Sequence, residues 1–140
     1  MSSSPLSIRF ELELLGRLRE AAVVQGTTPS GLSQRLIDEG LRMRQYPGVI
    51  FRDGPSGRRA GITAGPDIWE IISALGESEA RGDAAIAAAA KDFDLAESRI
   101  YLALAYYGSY SHEIDAEVAA NERDATEALK AWQAQQQLLA

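Results

Sequence analysis

The chain has 140 residues, enough for one ordinary domain or two small ones, and a net charge of −6. It has no cysteine, which excludes disulfides, thiol nucleophiles and cysteine-ligated zinc and suits a reducing cytosol. The average charge hides an asymmetry. Residues 1–60 carry nine Arg and six acids, a net of +3, whereas residues 61–140 carry five basic and fourteen acidic residues, a net of −9. A basic head on an acidic body predicts a DNA-facing N-terminus and a different partner for the remainder, with ordinary surface variation as the alternative. Met1-Ser-Ser-Ser-Pro5 lacks the charged and apolar run of a signal peptide, and no apolar stretch approaches the roughly 20 residues that cross a bilayer. The expectation is a cytoplasmic protein without a membrane partner.

Leu6, Ile8 and Phe10 alternate with Ser7 and Arg9, as one apolar face of a short strand requires. A strand this short cannot bury that face alone and needs a second copy of itself. A first helix is predicted from about Glu11 to Gln25, with Leu12, Leu15, Leu18 and Ala22 at helical spacing. Gly26 is placed to end it in a left-handed conformation. Thr28 then reads as an N-cap with Pro29 at the first helical position. The second helix runs to about Gln45, with Leu32, Leu36, Ile37 and Leu41 turned to a core.

Tyr46-Pro47-Gly48 stops that helix. Val49 to Phe51 reads as a short strand, Asp53-Gly54-Pro55-Ser56-Gly57 as a turn, and Arg59 to Thr63 as a returning strand. Arg52, Arg58 and Arg59 cluster around this turn, where they read as a solvated charged hairpin rather than a phosphate site. A third helix covers Ile68 to Leu75, with Trp69 and Ile72 as core anchors. Two more are expected over Asp83 to Asp92 and Ala96 to Tyr107, separated by Phe93-Asp94-Leu95. Ile86, Ala90, Phe93, Leu95, Ile100, Leu104 and Tyr107 form the predicted small core. The second helix of this pair carries Glu97 against Arg99, with Tyr101 and Tyr106, so it is not visibly basic and reads as a dimer or toxin surface rather than a second DNA reader. The last segment, His112 to Leu139, reads as one long helix free of Gly and Pro. Its stripe of Ile114, Val118, Asn121, Ala125, Ala128, Trp132 and Leu139 is thin, so the helix must dock on something.

Catalytic chemistry has little to stand on. There is one histidine, His112, and no glycine-rich phosphate loop. His112, Glu113 and Asp115 do not put three metal ligands on one helical face, so neither a metal nor a cofactor is predicted.

Leu6-Ser7-Ile8-Arg9-Phe10, the Leu-rich first helix and Gly26-Thr27-Thr28-Pro29-Ser30 together resemble the ribbon-helix-helix family of dimeric DNA-binding proteins, the Arc, MetJ and CopG group. The resemblance covers about a third of the chain. Tyr46-Pro47-Gly48-Val49, Phe51-Arg52-Asp53-Gly54-Pro55 and Gly65-Pro66-Asp67-Ile68-Trp69-Glu70 are similar to a small helical antitoxin-associated family of unknown function. Tyr46 stands where that family has a histidine, and its Gly-Thr-Arg step before the proline-tryptophan helix is missing. A DNA-binding head, this middle domain and a long C-terminal arm resemble a VapB-type antitoxin, which implies a PIN-like ribonuclease toxin as partner.

The fold expected is mainly α: a ribbon-helix-helix dimer over residues 1–45, a small helical domain with a short hairpin over 46–110, and a helical arm over 111–140. The resemblance implies that paired strands enter the major groove, with Ser7 and Arg9 facing base edges and Thr27, Thr28 and Ser30 near phosphates. It implies toxin capture through Ile114, Val118, Arg123, Leu129, Lys130 and Trp132. The partners are then operator DNA, a second copy or a higher oligomer, and the toxin. The alternatives are a stand-alone repressor of the same type and a dimeric interaction protein that does not bind DNA.

Overall fold

A computed structural model of the chain describes residues 2–55 and 57–140. It is mainly helical, with six helices, the last of them long, and one two-stranded hairpin among the described residues. The chain divides into two compact units, one ending at Arg42 and the other running from Met43 to Ala140. The boundary falls inside a helix rather than in a linker, and the expected arm from residue 111 is counted with the second unit.

In the first unit, residues 2–11 form neither helix nor hydrogen-bonded strand, so the predicted strand has no pairing partner within one chain. Helix α1 spans Leu12–Val24 and α2 spans Pro29–Gln45. The link between them is set locally. Gly26 adopts a positive φ of 66°, a left-handed conformation that costs glycine little. The Thr27 N–H then reaches Ala22 O at 3.0 Å and the Gly26 N–H reaches Val23 O at 3.2 Å, closing the helix end in a Schellman arrangement. Thr28 starts α2 as expected: its Oγ1 accepts the Gly31 N–H at 3.0 Å.

What this unit lacks is an interior. Ala22 and Leu32 are its buried apolar side chains among the described residues. Leu12, Leu36, Ile37 and Leu41, expected to face a core, are all exposed. The helical phase is sound; among the described residues no apolar surface of the unit covers that face.

The second unit opens with an antiparallel hairpin, β1 (Val49–Gly54) and β2 (Gly57–Ile62), in the register Val49↔Ile62, Phe51↔Ala60 and Gly54↔Gly57. The strands are longer than predicted, and Ser56 of the expected turn lies outside the described residues, as does Met1. Helix α3 (Ile68–Glu77) lies at the centre and packs on β2, α4 (Asp83–Phe93), α5 (Glu97–Ser109) and α6 (Ser111–Leu139). The Asp67 N–H at its start donates to Glu70 Oε2 at 2.8 Å, satisfying an amide the helix leaves unpaired. Asp94 ends α4 in a left-handed conformation with φ 53° and turns the chain into α5.

Val49, Ala60, Ile62, Ile68, Ile71, Ile100, Ala103, Tyr106 and Ile114 are all buried in one cluster. Three expectations change here. On α3 the fully buried side chains are Ile68 and Ile71, while Trp69 and Ile72 pack at the edge, because the deepest contact lies one residue back along the helix. On α5 the buried tyrosine is Tyr106 rather than Tyr107, as part of the Ile100, Ala103, Tyr106 row. Phe93, Leu95 and Leu104 are only partly buried against the cluster.

Candidate nucleic-acid and partner-binding surfaces

Two surfaces stand out, one in each unit. The first is an open groove of about 640 Å³ in the first unit. Leu6, Ile8 and Phe10 line one side of it, and Leu15 and Leu18 of α1 and Ile37 of α2 line the other. Leu6 is 81%, Ile8 52% and Phe10 36% exposed, so the apolar members of the alternating segment are not buried within the single chain. Exposing them to water costs about 25 cal/mol for each Å² left uncovered.

Ser7 and Arg9 are exposed, and so are Thr27, Thr28 and Ser30. Ser30 also borders the groove, together with Pro29. The start of α2 therefore lies beside the N-terminal segment, where the first-turn amides of a helix attract anions. Further along α2 the arginines are engaged: Arg42 pairs with Asp38 at 3.2 Å, and Arg35 donates to Gln25 and lies 3.8 Å from Glu39.

The second surface is the outer part of α6. Ile114 has no exposed surface, and residues 117–120 are partly covered. From residue 121 onward every residue is exposed, including Leu129 at 53% and Trp132 at 56%. Ile114 therefore leaves the set of capture residues: it anchors the helix to its own unit. Val118 is half-buried at the point of departure, while Arg123, Leu129, Lys130 and Trp132 lie on the free part. The root is also held by α5, whose Tyr106 hydroxyl donates to Glu113 Oε2 at 3.0 Å and whose Tyr107 hydroxyl donates to Asp115 Oδ1 at 2.9 Å.

The hairpin arginines, expected to be merely solvated, are structural. Arg52 Nε donates to Asp67 Oδ1 at 2.8 Å and its Nη2 to Gly65 O at 2.8 Å. The guanidinium lies over Gly61, in space that any Cβ there would fill. Arg59 is 9% exposed and sits 5.7 Å from the centre of the Trp69 ring. Arg58 pairs with Asp53 at 3.4 Å across the strands. None of this shows in residue spacing, since Arg52 and Asp67 are 15 positions apart.

Comparison with protein-family models, with curated proteins and with solved structures gave no match. Among the described residues no helix is long and apolar enough to cross a membrane.

Proposed function

We propose that this protein is a DNA-binding antitoxin: a dimer whose paired N-terminal segments read an operator and whose C-terminal helix captures a toxin. The observation that carries the first half is the alternating Leu6, Ile8, Phe10 face, exposed beside an equally uncovered groove of α1 and α2. An antiparallel pair of these segments buries both apolar faces at once and leaves Ser7 and Arg9 of each copy on the opposite face. That face is a two-stranded ribbon of the kind that fits the major groove. Arginine gives guanine two hydrogen bonds, and serine reads less selectively. The two-fold ribbon calls for an operator of inverted symmetry. The amides near Thr28 and Ser30 hold flanking phosphates and fix the register.

The second half rests on the free part of α6. Between His112 and Ala140 there are six acidic and two basic residues, which suits a basic protein surface and opposes DNA contact. Trp132 is the anchor of this surface, because buried aromatics dominate such interfaces. Leu129 stands beside it, and Arg123 and Lys130 supply cations for the acidic metal site of a PIN-like ribonuclease.

The test is a salt titration of binding to the chain's own upstream promoter and to a scrambled duplex. Preference for the promoter that persists as salt rises supports base reading, and Arg9→Ala then reduces that preference about tenfold or more while the fold is unchanged. Equal binding to both duplexes, or a preference untouched by Arg9→Ala, refutes the readout.

A further inference from the structure

Glu117 stands at the turn of α6 where the helix leaves its own unit. Ile114, one turn earlier, is fully buried, and from residue 121 every side chain is exposed. One carboxyl oxygen of Glu117, Oε2, is shut off from solvent and has no hydrogen-bond partner among the described residues. A buried carboxylate in that position is costly, whereas a neutral carboxyl is tolerated far better.

Its charged and titratable surroundings come from every element that meets the root of α6. The hairpin supplies Arg59, held over Trp69 of α3. The start of α3 supplies Asp67. Helix α6 itself supplies Glu113, which accepts a hydrogen bond from the Tyr106 hydroxyl of α5. One guanidinium thus faces several acids, and one of its neighbouring acids, Asp67, is bound to Arg52.

We propose that Glu117 is a proton-sensitive latch at the base of α6: its neutral carboxyl seats the helix root, and its ionisation loosens that root. The inference goes beyond the DNA and toxin proposal and stands whatever α6 captures. Burial pushes the Glu117 carboxyl from 4.5 up to about 7, the Arg59 guanidinium pulling against the rise and Glu113 and Asp67 adding to it. The seated state therefore holds the proton more tightly than the released state. The proton-linked contribution to seating is complete below the ordinary value of 4.5 and is lost as the pH rises through about 7. Full coupling would change the seating equilibrium roughly 300-fold. Glu117 is only partly buried, and solvent screening brings the expected change to about tenfold.

The test is hydrogen exchange of the full chain over residues 114–121 at about pH 5.5 and about pH 8, corrected for intrinsic exchange. Protection about tenfold lower at the higher pH is expected, and Glu117→Gln should keep protection high at both. Equal protection at the two pH values, or an unchanged pH dependence with Glu117→Gln, overturns the latch. Should the Gln variant fail to fold, carboxyl NMR of the otherwise unaltered chain decides. A Glu117 midpoint near 7 supports the latch, and one near 4.5 overturns it.

Discussion

Ile8 and Ile100 are the same residue in opposite circumstances. Ile100 has no exposed surface and sits in a row with Ala103 and Tyr106, closed over by α3 and α6. Ile8 is 52% exposed and lines a groove left open among the described residues of the first unit. The second unit closes its core within one chain because α3 meets four other elements. The first unit has two helices and an unpaired segment, too little to enclose an interior. The contrast separates a region that closes a core within one chain from one whose apolar face stays uncovered among the described residues.

The largest effect should come from truncating the closed core. Ile100→Ala is expected to cost about 3–4 kcal/mol, read as a lower urea midpoint that does not depend on protein concentration. A loss below about 1 kcal/mol would mean that this core is not as closed as its burial implies.

A smaller loss should follow when the hairpin is parted from α3. In Gly61→Ala the new Cβ falls 2.1 Å from Arg52 Nη2, so the guanidinium must leave Asp67 and Gly65. The expected cost is about 2 kcal/mol, since Asp67 keeps its place but loses a charge-assisted partner. Combining it with Arg52→Ala in a double-mutant cycle should show that the two losses overlap. Full additivity would contradict the clamp.

The smallest effect belongs to the outer helix. Trp132→Ala should leave the stability of the chain within about 0.5 kcal/mol, because the side chain is largely exposed and lies beyond the docked root of α6. Under the proposed function, the same substitution should sharply weaken capture of a PIN-like toxin. Destabilisation without loss of capture would return α6 to a purely structural role.

Much of the fold was legible because it is decided locally. Gly26, Thr28 and Pro29 mark where one helix ends and the next begins, and the hydrogen bonds of Thr27 and Thr28 form within six residues. The hairpin and the long last helix were legible for the same reason. The exact buried face was not. Ile68 and Trp69 are neighbours on one helix, and the choice between them depends on elements far away in sequence. Tyr106 and Tyr107 pose the same problem on α5. Periodicity marked Ile114 as part of an apolar stripe, yet could not say that the stripe is covered there and bare from residue 121. The roles of Arg52, Arg59 and Glu117 were hidden most deeply. Charged residues in a hairpin and on a helix suggest solvent until a distant ring or carboxylate is brought beside them. At the N-terminus the candidate site was legible as an alternation, and the proposed partner for it is a second copy of the chain.

Sedimentation equilibrium of the full chain and of Ile8→Asp measures that missing partner most directly. The account predicts a dimer for the unaltered chain. It predicts dissociation at least about 100-fold easier for Ile8→Asp, with the thermal transition of the second unit unchanged. A chain that stays monomeric at every concentration, or an Ile8→Asp variant that associates as well as its parent, would contradict it.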